Sequence, residues 1–139
     1  MTPLVVDASI ACKWFLPEAD ADRAQRLLSG RYHLLAPDLL WTEVASVVWK
    51  SARRRLISPD DARRIVRDAI TFPVETHPCE PLLPAALDLA LHHDRTVYDA
   101  LYLALAARES ATFVTEDARL VRGLGSRGPV RAVLLADCA

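Results

Sequence analysis

Four carboxylates, Asp7, Glu43, Asp99 and Asp117, are the side chains of this sequence best suited to chemistry. Each stands where an acid is either unwelcome or placed to a purpose. Asp7 ends the apolar run Leu4-Val5-Val6, and Glu43 interrupts the apolar stretch from Leu39 to Trp49. Asp99 opens the almost wholly apolar segment from Val97 to Ala106, and Asp117 follows Thr112-Phe113-Val114-Thr115-Glu116. A carboxylate taken out of water must be paired, hydrogen-bonded or bound to a cation. Four acids brought together would repel one another, and some would hold protons at raised pKa. A divalent cation reverses that balance, and an all-oxygen donor set selects Mg2+ or Mn2+ over zinc. Such a centre activates a bound water as nucleophile, polarises the oxygen of an electrophilic substrate and stabilises a leaving oxygen. Asp7 and Asp99 are the preferred direct ligands, and no single acid is singled out as general base.

The elements that must position these acids alternate between strand and helix. Residues 3–7 form a continuous apolar run of the kind that parallel strands use. A helix follows over 9–15 and is interrupted at Pro17. Helical periodicity over 20–28 stops at Gly30, and 32–36 is a second strand. Pro37 is expected to open a long helix over 37–56, at a first-turn position where its missing donor costs nothing. Ser58-Pro59-Asp60-Asp61 is a helix start, with Ser as cap and acids at the positive dipole end, and the helix runs to 70. Residues 74–77 make a weak strand suited to a sheet edge by Pro73. A loop over 78–84 leads into a helix ending near 93, and Thr96 caps the next, ending near 108. A strand over 112–115, a short helix over 117–124 and a last strand over 130–135 complete the chain. The alternation predicts a three-layer α/β/α sandwich around a mainly parallel sheet, in one domain spanning 1–139. Ligands of such sheets bind beyond the carboxyl ends of the strands, where Asp7 and Asp117 fall.

Each acid also has a purely structural reading. Asp7 could cap the following helix, in competition with Ser9. Thr96 and Asp99 have the spacing of a capping box, although the helix beyond is apolar on nearly every face and so buried. Asp117 is an ordinary acid for a first helical turn, and Glu116 beside it is a possible substitute. Glu43 is the hardest to explain away, because Leu39, Leu40 and Val47 are its helical neighbours. The joint occurrence of the four carries the argument.

The remaining composition narrows the classes. At 52% hydrophobic and 25% charged residues the chain is of ordinary globular type. No apolar stretch approaches the ~20 residues that span a bilayer, and the start lacks a signal-like pattern; a cytoplasmic protein, away from membranes, is expected. Cys12, Cys79 and Cys138 are widely spaced and odd in number, which argues for reduced thiols and against a zinc site. His33, His77, His92 and His93 have no metal-binding spacing, and P-loop and dinucleotide fingerprints are absent. The net charge of −1 gives no global basic field, but Lys50, Arg53, Arg54 and Arg55 cluster, with Arg63, Arg64 and Arg67 following. Arg53, Arg54 and Arg55 are candidate RNA contacts, against the plainer reading of a solvated helix surface.

The segments Val5-Val6-Asp7-Ala8-Ser9, Leu40-Trp41-Thr42-Glu43-Val44, Thr96 to Ala104 and Phe113-Val114-Thr115-Glu116-Asp117 together resemble a PIN domain, and within that family the VapC-type toxins of bacterial toxin–antitoxin pairs. The resemblance covers essentially the whole chain. It implies a metal-dependent endoribonuclease with Mg2+ or Mn2+ as cofactor and an RNA substrate. It implies a site of Asp7, Glu43, Asp99 and Asp117 supported by Ser9 and Thr115. In this pattern the last acid lies two residues after the Thr, which favours Asp117 over Glu116. It further implies a cognate antitoxin laid across a groove near the acids, and a homodimer. The stripe of Trp41, Val44, Ala45, Val48 and Trp49 on one helix could pack on the domain's own sheet or on a partner. Two other functions compete. One is a catalytically silent PIN-like domain that binds RNA or protein, which a metal-dependent cleavage assay would distinguish. The other is a phosphotransfer domain using Asp7, for which Ser9 stands where a second acid is wanted.

Overall fold

In the computed structural model, which describes residues 1–138, the apolar start of the chain becomes the middle of a sheet. Strand β1 (Thr2–Val6) pairs with β2 (Tyr32–Pro37) on one side and β4 (Thr112–Thr115) on the other. The edges are β3 (Val74–His77), beside β2, and β5 (Ala132–Leu134), beside β4. All four pairings are parallel, in the order β3-β2-β1-β4-β5. Leu4, Val5 and Val6 are buried, as a strand covered on both faces must be.

Helices flank this sheet, giving the expected sandwich. They are α1 (Ala8–Ala11), α2 (Ala21–Arg26), α3 (Leu40–Arg53), α4 (Pro59–Ala69), α5 (Leu83–His93), α6 (Val97–Arg108), α7 (Ala118–Leu124) and α8 (Leu135–Cys138). Helix α6 lies on β1, β2 and β4 and carries α5. Its residues Ala100 to Ala106 are all buried, which explains a helix that is apolar on every side. Helix α1 continues into a 3-10 turn, Cys12–Trp14, and ends before Pro17. Trp14 stacks on Phe72 at 5.6 Å and donates to Ala24 O at 2.8 Å, fastening the end of α4 and helix α2 to this turn.

The caps at Ser58 and Thr96 form as expected, with Asp61 N donating to Ser58 Oγ at 3.0 Å and Asp99 N to Thr96 Oγ1 at 3.1 Å. Two elements differ from expectation. Pro37 ends β2 and does not open α3, which begins at Leu40. The ladder between β1 and β2 runs only to Leu35, so a residue without an N–H is tolerated just beyond it. The last strand is shorter than 130–135, and the chain turns helical at Leu135, whose side chain is fully buried. No described helix is long and apolar enough to cross a membrane. Cys12, Cys79 and Cys138 are free thiols.

Candidate active site

Three neighbouring strands deliver acids to one edge of the sheet. Asp7 directly follows β1, Glu43 lies in the first turn of the helix after β2, and Asp117 stands just beyond β4. Because Val6 is level with Val114, the two chain segments leave the sheet side by side. Asp99 comes from the first turn of α6.

Asp7 is the most enclosed of the four. Thr115 Oγ1 donates to its Oδ2 at 2.6 Å, Ser9 Oγ donates to its Oδ1, and Ile10 N donates to Oδ1 at 3.2 Å. It therefore caps α1 and faces a cluster of hydroxyls at once. Burial pushes its carboxyl above the ordinary 3.8, although these hydrogen bonds oppose the rise. The two hydroxyls have second tasks. Ser9 Oγ accepts from Glu116 N at 3.2 Å, and Thr115 Oγ1 accepts from Asp117 N at 3.1 Å. The turn after β4 is thus tied to Asp7 at both supporting residues.

Asp117 caps α7, accepting from Leu120 N at 3.0 Å. Its Oδ2 also meets Arg95 Nη2 at 2.8 Å, and the same nitrogen lies 3.3 Å from Asp99 Oδ2. Partial burial alone would raise the Asp117 carboxyl, but the Leu120 amide and the Arg95 charge outweigh it and hold the group below its ordinary value. Glu116 turns to a different partner, with its carboxylate 3.6 Å from Lys13 Nζ. Lys13 is buried, donates to Ala19 O at 2.6 Å and lies 3.9 Å from Glu18.

Glu43 accepts from Tyr102 Oη at 2.6 Å. The Tyr102 hydroxyl is pushed far above its usual range by burial first, then by Glu43, with Asp7 adding its field. Both acids likewise push the buried Cys12 thiol upward, after burial and Glu18, to about 12. Glu43 and Asp7 therefore act on the same buried groups. The arrangement is a linked series: Glu43 with Tyr102, Asp7 with Ser9 and Thr115, and Asp117 with Arg95 and Asp99. Among the described residues, no three His, Cys, Asp or Glu side chains stand as a ready-made metal cage.

Arg53, Arg54 and Arg55 lie at the exposed end of α3, away from this hydrogen-bonded series, with the Arg53 guanidinium 5.3 Å from the Trp49 ring centre. Sequence reasoning passed over three participants. Lys13 carried the same signal as Glu43, a charge inside the apolar run Ile10 to Leu16. Tyr102 lies three residues beyond Asp99, on the turn above it. Arg95 gave no signal, because its two partners are defined by the folded chain.

A family model of the PIN domain matches residues 4–123. The chain belongs to the PIN domain family. Similar PIN proteins include Ribonuclease VapC3 of Pyrobaculum aerophilum, 38% identical over 119 residues, spanning 84% of this chain and 91% of that one. Ribonuclease VapC12 of Mycobacterium tuberculosis is 31% identical over 131 residues, spanning 94% and 98%. In fold, this PIN domain resembles the crystal structure of PAE2754 from Pyrobaculum aerophilum, with a TM-score of 0.71, 24% identity, and 99% and 92% of the two chains covered. It also resembles a toxin-antitoxin complex from Klebsiella pneumoniae, with a TM-score of 0.67, 16% identity, and 95% and 97% covered.

Proposed function

We propose that this PIN domain is a metal-dependent endoribonuclease, the toxin of a toxin–antitoxin pair, acting at Asp7, Glu43, Asp99 and Asp117. The observation that carries the reading is the hydroxyl clamp on Asp7. Burial outweighs the hydrogen bonds that Asp7 accepts, and a cation at the sheet edge would offset the remainder. The donor set is all oxygen, which fits Mg2+ or Mn2+ and not a softer metal. Asp7, Asp99, Asp117 and Glu43 would hold the ion, with Asp7 and Asp99 as principal ligands and Asp117 preferred to Glu116, which Lys13 engages. When bound, the ion supplies Lewis acidity toward a phosphodiester and acidity to its water.

The chain's own groups do the positioning. Ser9 and Thr115 donate to Asp7, and with the Ile10 amide they fix its carboxylate while Oδ2 keeps an acceptor position for a cation. Tyr102, kept neutral by burial, donates to Glu43 at any physiological pH and fixes its carboxylate. The strand ends bring these acids to a common edge, where an RNA backbone can lie. Arg53, Arg54 and Arg55, exposed at the far end of α3, would contact RNA phosphates away from the acids.

An antitoxin partner is part of the proposal. Between α3 and α4 runs an apolar groove of ≈ 570 Å3, with Val48, Trp49, Ala62 and Val66 in its walls and Arg63 and Arg67 at its rim. Such a groove suits an amphipathic acidic segment. A homodimer is also proposed. Leu83, Leu87 and Leu91 recur every four residues along α5 and are exposed, and Val97 and Tyr98 are exposed at the start of the neighbouring α6.

The deciding experiment is cleavage of an RNA substrate with Mn2+ or Mg2+ and with chelator. The proposal expects cleavage that needs the ion and is lost in Asp7→Asn. Tight RNA binding with no cleavage under any ion would instead favour a silent binding domain.

A further inference from the structure

The cation already present among the acids is Arg95. It stands in the short link between α5 and α6, after Asp94, which takes a left-handed conformation at φ 53°. Its Nη2 reaches Asp117 at 2.8 Å and Asp99 at 3.3 Å, so a single nitrogen serves both carboxylates. A guanidinium binds an acid best through a two-pronged fork, with two parallel N–H bonds to one carboxylate. Here that fork is not used, and the buried Nε has no hydrogen-bond partner. Arg95 therefore stays beside Asp99 and Asp117 for their charge and not for ideal geometry.

Asp99 and Asp117 come from different elements, α6 and the cap of α7, and like charges so placed repel unless a cation lies between them. The guanidinium of Arg95 supplies that cation in the folded chain.

We propose that Arg95 is a resident counter-ion for Asp99 and Asp117 that competes with the divalent ion for those two carboxylates. It is a positioning residue that lowers metal affinity and keeps the metal-free site assembled. This rests on the metal-dependent reading above. Binding of the ion and pairing of Arg95 are then linked, each weakening the other by the same factor.

The test is Mn2+ binding by titration calorimetry, with melting curves in chelator and in Mn2+, on the full chain. Parent, Arg95→Gln, Arg95→Lys and Asp99→Asn are compared. Arg95→Gln should bind Mn2+ about tenfold more tightly than the parent, the scale expected for removing a partly exposed pair of ion contacts. It should also melt lower in chelator and gain more from Mn2+ than the parent does. Arg95→Lys, which keeps the charge, should stay nearer the parent and covers the case in which the Gln variant fails to fold. Equal or weaker Mn2+ binding in Arg95→Gln, beside a parent whose binding is lost in Asp99→Asn, overturns the counter-ion role alone. A parent that binds no Mn2+ overturns the metal-dependent reading along with it.

Discussion

Tyr102 Oη donates to Glu43 Oε1 at 2.6 Å across 59 residues of sequence, joining the buried helix α6 to the first turn of α3. The bond places a neutral donor against an acid that sequence alone left in an apolar stripe. Tyr102→Phe removes it while keeping the ring, which stacks 6.0 Å from Phe113. We expect RNA cleavage to fall strongly, with a stability loss of about 1.5–3 kcal/mol for a bond to a charged group. Urea melts and cleavage assays on the same preparation check both parts.

Asp7→Asn and Asp99→Asn should each abolish cleavage without unfolding the chain. Their melts in chelator should differ. Burial raises the Asp7 carboxyl above its ordinary value, so Asn at this position should match or exceed the parent's stability. Asp99 loses its pairing with Arg95, so Asn there brings no such gain. A variant with full metal-dependent cleavage would remove its acid from the proposed site.

Acid titration separates Asp7 from Asp117 by sign. The folded Asp7 carboxyl lies above 3.8, so its ionised form costs stability at neutral pH, and that cost fades as pH falls through the raised value. The folded Asp117 lies below 3.8, so it contributes stability above 3.8 that is lost as pH falls through its lowered value. In chelator, Asp7→Asn should therefore exceed the parent most at neutral pH. Asp117→Asn should trail it most there. Both gaps should narrow toward acid, as thermal melts from pH 7 downward will read.

Replacing Arg53, Arg54 and Arg55 with Ala should weaken RNA binding and flatten its dependence on salt, because fewer counterions are released. Mn2+ affinity should not change, since these residues lie outside the hydrogen-bonded acids. Binding that is unaltered across a salt series returns the cluster to ordinary solvated surface.

Leu87→Glu should turn the proposed homodimer into a monomer by placing a charge in the middle of the exposed α5 stripe. Light scattering at high micromolar concentration decides it. A parent that is already monomeric there defeats the dimer, and Mn2+ affinity serves as a control for folding.

What could be read from sequence was local or periodic. The caps at Ser58 and Thr96 depend on residues three apart, and both formed. The buried character of α6 followed from an apolar pattern without a polar face. Pro37 misled because a proline favours a helix start only when no strand claims it, and its place past the β1 ladder is a property of the sheet. Val133-Leu134-Leu135 reads as continuous strand, while burial of Leu135 in a helical turn depends on what the fold has brought beneath it. Ionic partners were the least visible. Lys13 with Glu116 and Arg95 with Asp117 meet through tertiary placement, and only Lys13 left a trace, as a charge in an apolar run.

The central position of β1 has a consequence for synthesis. Strand β1 must wait for β4, its neighbour from residues 112–115, before one side of its ladder can close. Asp7 receives the Thr115 hydroxyl only at that stage, and Asp117 joins it two residues later. Domains fold as their segments leave the ribosome, at about 5–20 residues per second. A nascent chain thus carries its acids apart until residues 112–117 have been made, and a ribonuclease built in this order stays silent before that point.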